Sequence, residues 1–313
     1  MKMKEIANNL GLSIATVSRV VNGHSNVKLE TKKKVLDYIE KEGYTPNAIA
    51  QSLSKKENKT VAMLIPNITN PFFGSLVNKI SKIFIKNGYQ IALYNTIGDL
   101  ELEEKAIKNI LSQKVAAVIA ILNEGEYKTN PVDSLINENI PVYLLDREII
   151  DLNLPGVFIN NFSGAYNLTK ELIKQGNTDI CIITGNLKFF NARERLRGFQ
   201  TACKDMGIPC NENNIYLGDY LFDSGYQLAP KILNKSHTAV FISNNLMLYG
   251  FLKNYKNYTK KLQISCFEKT EFLDILNFDI KTGSIPLDDM ATEIYNLFIK
   301  KEKNKKVYIE PNL

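Results

Sequence analysis

The 313-residue sequence is poor in the residues on which many enzymes and metalloproteins depend. It has only two histidines, His24 and His237, and they lie far apart in the chain. A histidine-rich metal site is therefore excluded, and a catalytic triad built on histidine is not expected. The stretch 88–98 lacks the GxGxxG pattern of a phosphate-binding turn. These absences predict a protein without a metal or a cofactor, and they argue against an enzyme.

Cysteines and long apolar runs are scarce as well. The four cysteines form no CxxC pair, which in a reducing compartment indicates small core residues rather than disulfides. The sequence has no run of 18 apolar residues of the kind that a membrane-spanning helix requires. Residues 1–5 lack the apolar segment of a signal peptide. We therefore expect a cytoplasmic protein that does not contact a membrane.

Positive charge is distributed unevenly. Residues 1–60 contain eleven Lys or Arg and six Asp or Glu, a net charge of +5, whereas the whole chain carries +6. Such an asymmetry favours a nucleic-acid-binding head on a nearly neutral body. A solvated, lysine-rich surface without a partner explains the charge equally well, so charge alone leaves both interpretations open.

The first 44 residues read as three short helices. Apolar residues at helical spacing predict one helix over Met3–Leu10. Ser13 is a suitable N-cap for a second helix that runs to about Asn22, where Gly23 ends it. A third helix covers roughly Leu29–Glu42. Two short helices joined by a tight turn, with a third packed behind them, form the helix-turn-helix pattern.

The second helix of such a unit enters the major groove of double-stranded DNA, and its first residues reach the base edges. Here Ile14 and Ala15 can pack against thymine methyl groups, and Arg19 can donate two hydrogen bonds to guanine. Short polar side chains of the same segment suit phosphate oxygens. The candidate DNA contacts in this segment are Ser13, Ile14, Ala15, Thr16, Ser18, Arg19 and Asn22. A small surface helix without a partner is the alternative, because spacing alone is a weak signal.

From Val61 onward, short Val- and Ile-rich runs alternate with amphipathic helical stretches. Apolar runs of this length are typical of parallel strands that are buried on both faces. Seven such runs are too many for one small sheet, so we predict an α/β core of two lobes with parallel sheets and a ligand cleft between them. The predicted strands cover 61–66, 90–95, 115–121, 141–146, 180–185, 239–243 and 262–267.

The segment between these two parts is 45–60, TPNAIAQSLSKKENKT. Pro46 prevents continuation of the preceding helix. Residues 47–54 allow about two helical turns, too few to persist alone in water, and such a segment can fold when a partner binds it. We therefore divide the chain into a DNA-binding domain 1–44, a hinge helix and linker 45–60, and a two-lobed core 61–313.

Two strings in the head are highly specific: KEIANNLGLSIATVSRVVNG (4–23) and VKLETKKKVLDYIEKEGYTPNAIAQSLSKK (27–56). They resemble the LacI family of bacterial transcription regulators, most of all the catabolite control regulators of Gram-positive bacteria. The resemblance extends over nearly the whole chain. It implies a homodimer with a sugar-binding core built like the periplasmic binding proteins. It also implies a repressor of a carbohydrate-utilisation operon, whose affinity for operator DNA is modulated by a sugar or a sugar phosphate.

In that family the joint is a hinge helix that pairs with its counterpart in the dimer on operator DNA. The resemblance identifies Leu53 as an apolar wedge that enters the minor groove and bends the duplex. It places Ala50 where the two hinge helices approach closely. Ser54 stands where relatives often carry Lys or Arg, so one contact with DNA is expected to be weaker.

The resemblance also assigns a sugar-binding cleft to the core. Carboxylates and guanidinium groups pair with vicinal hydroxyls, and aromatic rings cover the apolar face of a sugar. The matching residues are Phe72, Phe73, Asp146, Arg147, Arg195, Tyr220, Asn244 and Glu268. Without the family, Phe72 and Tyr220 could be plain core residues, and Asp146 and Arg147 could form a surface ion pair.

The chain departs from the family pattern at several points. Glu268 and Asn245 stand where relatives usually carry Asp, so altered effector binding is expected. No arginine occurs between Phe267 and Met290, a region that commonly supplies arginines for a phosphoserine. A phosphorylated phosphocarrier protein as co-repressor therefore stays open only as the alternative to a sugar effector. A LacI-like tetramer is not expected, because the sequence shows no leucine-zipper tail.

Overall fold

The computed structural model describes residues 3–22, 26–44, 58–124, 132–149, 152–259, 261–275 and 278–312. The chain divides into two compact units, residues 1–59 and 60–313. None of the helices in the described ranges is long and apolar enough to cross a membrane. The finer boundaries 1–44, 45–60 and 61–313 stay predictions.

The first unit is a three-helix domain. Its helices are α1 (Met3–Leu10), α2 (Ile14–Val21) and α3 (Leu29–Lys41). α2 begins after Ser13 because the hydroxyl of this residue accepts a hydrogen bond of 3.1 Å from the Thr16 amide, as expected of an N-cap. The three helices share one buried core, which contains Ile6, Ala7, Val17, Val20 and Val35. The predicted helix-turn-helix head is thereby confirmed.

The second unit alternates strands and helices. Its first half contains, in chain order, β1 (Thr60–Ile65), α4 (Pro71–Lys86), β2 (Gln90–Asn95), α5 (Leu100–Gln113), β3 (Ala117–Ala120), α6 (Asp133–Asn137), β4 (Val142–Asp146) and β5 (Gly156–Ile159). Its second half contains α7 (Asn161–Lys174), β6 (Ile180–Thr184), α8 (Phe190–Asp205), β7 (Ile215–Leu217), α9 (Phe222–Leu233), β8 (Ala239–Ile242), α10 (Asn245–Tyr255), β9 (Gln263–Cys266), β10 (Ile280–Thr282), α11 (Leu287–Lys300) and β11 (Lys306–Ile309). Short 3-10 turns lie at Glu212–Asn214 and Glu271–Ile275.

Two sheets form the framework of two lobes. The sheet of lobe 1 has the strand order β11-β5-β4-β3-β1-β2, and that of lobe 2 has the order β10-β9-β8-β6-β7. Neighbouring strands are parallel in both sheets. The chain passes to lobe 2 after β5 and returns to lobe 1 after β10. The predicted two-lobed core with parallel sheets is therefore confirmed.

The sequence analysis did not predict four of the strands: β5, β7, β10 and β11. β7, β10 and β11 are edge strands of only three or four residues with half-exposed or exposed side chains, so they give no apolar run as long as that of a buried parallel strand. β5 is fully buried but has only four residues. Its first residue is Gly156, where a Cβ atom would lie only 2.7 Å from the Leu144 carbonyl oxygen. The apolar run of β5 is therefore only three residues long.

Candidate functional site

The first candidate surface is the outward side of α2. Val17 and Val20 are buried in the three-helix core, whereas Ile14, Ala15 and Arg19 are exposed. An α-helix has 3.6 residues per turn, so these three exposed residues share one side of α2. That side presents two apolar groups and one guanidinium, which are the groups that contact thymine methyls and guanine edges.

The polar side chains of this segment already form some hydrogen bonds with one another. The Ser13 and Thr16 hydroxyls share a hydrogen bond of 2.8 Å. The Asn22 amide donates a hydrogen bond of 3.2 Å to the Ser18 hydroxyl, and Asn22 is only 6% exposed. Asn22 thus acts mainly at the C-terminus of α2, while Thr16 and Ser18 remain closer to solvent. The predicted hinge contacts lie outside the described residues: Ala50 and Leu53.

The second candidate site is a cleft between the two lobes of the second unit. The carboxyl ends of parallel strands lie at one edge of a sheet, and ligands of such folds bind there. The residues that follow β4, β7, β8 and β9 meet at this cleft, together with the start of α4 and one turn of α8. All eight residues that the sequence singles out line one space of about 40 Å³: Phe72, Phe73, Asp146, Arg147, Arg195, Tyr220, Asn244 and Glu268.

Arg195 occupies the lobe 2 side of the cleft. Its Nε donates a hydrogen bond of 2.8 Å to Asn161 Oδ1, and its Nη1 donates to the Ser243 carbonyl. The same Nη1 lies 3.6 Å from Glu268 Oε1, in an ion pair that is almost completely buried. The guanidinium stacks over the Phe267 ring at 3.7 Å. Four separate contacts therefore fix the orientation of this cation.

Arg147 occupies the lobe 1 side and is held by a buried relay. Its Nη1 donates a hydrogen bond of 3.0 Å to Asn123 Oδ1. The amide of Asn123 in turn donates 2.9 Å to Glu103 Oε2, a carboxylate of α5 with no exposed surface. The Arg147 guanidinium also lies 4.5 Å from the ring centroid of Phe189, a residue of lobe 2. Sequence reasoning missed both Glu103 and Asn123.

The two cleft carboxylates are not fully paired. Within the described part of the chain, Asp146 Oδ1, Glu268 Oε2 and Arg147 Nε are buried without a hydrogen-bond partner. Burial raises the pKa of Glu268 to about 7, with Arg195 opposing the rise and Asp146 adding to it. Burial likewise raises the pKa of Asp146 against the influence of Arg195 and Arg147. Unpaired buried groups with displaced pKa values are typical of binding sites.

Backbone geometry marks the same place. Asp146 and Tyr220 adopt backbone φ values of 62° and 70°, in a region that residues other than glycine rarely adopt. Asp146 is the last residue of β4, Tyr220 lies between β7 and α9, and both residues line the cleft. Backbone strain of this kind persists where surrounding structure enforces it, and it concentrates at functional sites.

A larger space of about 250 Å³ adjoins the first and shares Asn70, Phe73, Arg147 and Tyr220 with it. Its apolar lining comprises Pro66, Ile97, Phe189, Leu221 and Leu246. Its polar lining includes Asn67, Asn123, Asn186, Lys188 and Asp219. The eight residues predicted from sequence therefore form only the inner part of the cleft.

A contact between the lobes lies beside the cleft, next to the lining residues Asn123 and Phe189. Glu124, which follows β3 of lobe 1, accepts a hydrogen bond of 2.6 Å from the Phe190 amide at the start of α8 in lobe 2. Its second oxygen lies 3.4 Å from Arg193 Nη2. The residue before α8, Phe189, provides no side-chain cap, so the carboxylate from the other lobe serves as the cap. No sequence signal identifies Glu124, because its partner is 66 residues away.

Comparisons with known proteins match both parts of the chain. Residues 2–47 match the bacterial regulatory proteins of the lacI family, and residues 58–272 match the periplasmic binding proteins and sugar binding domain of the LacI family. The chain is 30% identical over 303 residues to catabolite control protein A of Priestia megaterium, with 95% of this chain and 91% of that protein covered. It is 32% identical over 318 residues to the HTH-type transcriptional regulator RegA of Clostridium saccharobutylicum, with 99% and 95% covered.

A solved structure with a similar fold is that of the lac repressor dimer bound to operator and the anti-inducer ONPF. The TM-score is 0.84 at 20% identity, with 100% of this chain and 97% of that chain covered. The similarity in fold thus extends over the DNA-reading head and the two-lobed core alike.

Proposed function

The chain belongs to the lacI family of bacterial regulatory proteins, and we propose that it is a homodimeric repressor of a carbohydrate-utilisation operon. It binds a roughly palindromic operator with a central CG step through the exposed side of α2. A sugar or a sugar phosphate in the interlobe cleft changes its affinity for that operator.

The observation that supports this proposal best is the exposed side of α2. Ile14, Ala15 and Arg19 project away from a core that Val17 and Val20 anchor. Because they are exposed, these three side chains do not belong to the buried core of the three-helix domain. They are what a recognition helix needs to read thymine and guanine in the major groove.

The proposed mechanism couples the cleft to the head through the segment 45–60. A ligand between the lobes changes their relative angle, and this changes whether paired hinge segments can fold on DNA. Leu53 then acts as the wedge at the centre of the operator. A coupling of this kind is typically worth about 1–3 kcal/mol.

Two observations support the homodimer. The lacI-family structure with a similar fold was solved as a dimer on its operator. In this chain, Leu93 on the edge strand β2 and Ile97 in the turn after it are exposed. Apolar side chains beside a free sheet edge favour pairing with a second copy.

Selection of operators from a random DNA pool by the full-length protein tests the proposed function. We expect enrichment of a two-fold symmetric sequence, and we expect a sugar or sugar phosphate to change the affinity for it. Enrichment of no sequence, with binding that depends only on salt, would contradict a role as a specific repressor.

A second candidate is a regulator driven by a protein co-repressor. It is supported by the 30% and 32% identities to the catabolite control proteins A of Priestia megaterium and Streptococcus mutans. A pull-down with serine-phosphorylated phosphocarrier protein distinguishes the candidates, with the unphosphorylated form as control. Retention of only the phosphorylated form, together with tighter operator binding, would favour the co-repressor.

A further inference from the structure

We propose that Cys203 and Cys210 form a modification site, at which a hydroperoxide converts two neighbouring thiols into an intramolecular disulfide. All four cysteines of the chain are free thiols in the structure. Cys203 lies in the last turn of α8, and Cys210 lies in the segment between α8 and β7. Neither residue lines the interlobe cleft, so this site is separate from the proposed effector site.

The turn that follows α8 brings the two side chains together. The helix ends at Asp205, and the Ile208 amide donates a hydrogen bond of 2.8 Å back to the Cys203 carbonyl oxygen. Gly207 supports this reversal with a φ of 69°, which glycine adopts without strain. Cys210 therefore packs against the same hydrophobic core that contains Cys203, and the two thiols share a hydrogen bond. A disulfide forms only between residues that are neighbours in this way.

The two cysteines differ in exposure, and this difference gives them different roles. Cys203 has no exposed surface, whereas Cys210 is half-buried and accessible to a small solute. The hydrogen bond from the Cys203 thiol lowers the pKa of Cys210, although burial opposes this change. The same hydrogen bond raises the pKa of Cys203, and burial adds to the rise. An accessible sulfur with a lowered pKa, next to a second cysteine, is typical of oxidation-sensitive sites.

The proposed reaction has two steps. In the first, the Cys210 thiolate attacks one oxygen of the hydroperoxide, so that an S–O bond forms while the O–O bond breaks. The departing oxygen takes a proton and leaves as an alcohol or water, which reduces the hydroperoxide and oxidises Cys210 to a sulfenic acid. In the second, the Cys203 sulfur attacks the sulfenic sulfur, and the hydroxyl group leaves with the Cys203 proton as water. A thiol reductant reverses the resulting disulfide by exchange.

The other two cysteines have surroundings that disfavour this reaction. Cys181 and Cys266 have no exposed surface, and both lie in a second core cluster of lobe 2. The Cys181 thiol donates a hydrogen bond of 3.6 Å to the Ala239 carbonyl. Burial raises the pKa of Cys266 to about 12. Buried, protonated thiols are inert, so these two residues serve as internal controls.

Treatment of the full-length protein with hydrogen peroxide, followed by alkylation of the remaining thiols and digestion, tests the inference. Lys204 lies between the two cysteines, so trypsin places them on separate peptides, 198–204 and 205–231, unless a disulfide joins them. We expect mass spectrometry to find these two peptides joined, at their summed mass less two hydrogen atoms. We expect dithiothreitol to separate them, and Cys181 and Cys266 to be alkylated throughout.

Three results of this experiment overturn the inference. The first is that the two peptides remain separate and both cysteines are alkylated. The second is that Cys210 is oxidised without joining Cys203. The third is that Cys181 or Cys266 reacts with peroxide as fast as Cys210 does.

Two variants assign the roles of the pair. Cys203→Ala removes the second thiol, so oxidation should stop at a Cys210 sulfenic acid, which dimedone captures. In Cys210→Ser, a change at a half-buried position, Cys203 should be oxidised about tenfold more slowly than Cys210 is in the wild type. Cys181→Ala is the matched control and should form the disulfide at the wild-type rate. Oxidation of Cys203 in Cys210→Ser at the wild-type rate of Cys210 overturns the assignment, and it is measurable even if Cys203→Ala does not fold.

Discussion

Glu268 shows how position alone changes the chemistry of a side chain. It lies two residues after the end of β9 and accepts a hydrogen bond from the Asn245 backbone amide. Burial raises its pKa to about 7, and of the charged groups that face it, Arg195 lowers the value while Asp146 raises it. The Tyr220 side chain lies in the same cleft lining. The carboxyl is consequently half-protonated near neutral pH, whereas an ordinary glutamate is fully ionised there.

The first prediction concerns stability. Between the ordinary glutamate pKa of 4.5 and the folded value of about 7, the folded protein holds a proton on Glu268 that the unfolded chain has lost. The contribution of this group to the free energy of unfolding therefore falls as pH rises through that window. Urea titrations measure how far the free energy of unfolding falls between about pH 5 and pH 8. This fall should be about 1–3 kcal/mol smaller in Glu268→Gln than in the wild type. Glu101→Gln, on the exposed side of α5, is the matched control and should keep the wild-type dependence. Equal losses in all three proteins would contradict the displaced pKa.

The second prediction concerns Arg19. It is exposed on α2 beside Ile14 and Ala15, where it can reach a guanine. Arg19→Ala should weaken binding to the selected operator by about 1–3 kcal/mol, roughly 5- to 150-fold, while weak and salt-sensitive binding to scrambled DNA remains. Arg197→Ala in α8, an exposed arginine of the second unit, is the matched control. Affinities are measured by fluorescence anisotropy. If Arg19→Ala prefers the operator over scrambled DNA as strongly as the wild type does, Arg19 does not contact a base.

At the scale of elements, α8 links the cleft to the contact between the lobes. It carries Arg195 near its start, and its first amide is capped by Glu124 of the opposite lobe. The same helix turn places Arg193 beside that carboxylate. These two contacts join the lobes, so a change of the interlobe angle at this point would strain or break them.

The third prediction follows from that cap. Glu124→Ala leaves the Phe190 amide without its acceptor, and loss of an N-cap typically destabilises a helix by about 0.5–2 kcal/mol. Amide hydrogen exchange at residues 190–195 should become roughly 2- to 30-fold faster. Glu138→Ala, an exposed residue after α6, should leave exchange in α8 unchanged. Unaltered exchange in Glu124→Ala would show that the interlobe bond does not hold the helix.

The fourth prediction concerns the hinge segment. A wedge at Leu53 bends DNA because it unstacks one base step, and an alanine is too short to do this. Leu53→Ala should reduce operator bending, measured by energy transfer between labelled DNA ends, and should lower affinity about tenfold. Ile49→Ala removes an apolar side chain of similar size from the same segment and serves as the control. Equal bending by wild type and Leu53→Ala would exclude the wedge.

The whole molecule makes one further prediction, because binding at two sites is reciprocal. A sugar that changes operator affinity by a factor between about 5 and 150 must have its own affinity changed by the same factor when operator is bound. Calorimetric titration of the sugar into free protein and into the protein–operator complex measures both quantities. A sugar whose affinity is the same for free protein and for the protein–operator complex would not be an effector of operator binding.

The sequence by itself determined the helices of the head and the buried strands, because their signals are local. The Ser13 hydroxyl caps α2 by accepting a hydrogen bond from the Thr16 amide, three residues further along the chain. Val17 and Val20 are spaced so that they share one face of a helix with 3.6 residues per turn. Continuous apolar runs such as 180–185 mark strands that are covered on both faces. The edge strand 306–309 lacks that signal, since three of its four residues are partly exposed and Tyr308 is exposed.

The resemblance supplied the members of the cleft, but only the tertiary structure decided how they interact. The Glu103–Asn123–Arg147 relay and the cap from Glu124 to α8 join residues separated by 20 to 66 positions. No periodicity connects residues at such distances. The unpaired oxygens of Asp146 and Glu268 also appear only when two lobes enclose them, because burial, which displaces a pKa, is a property of the surroundings and not of the residue.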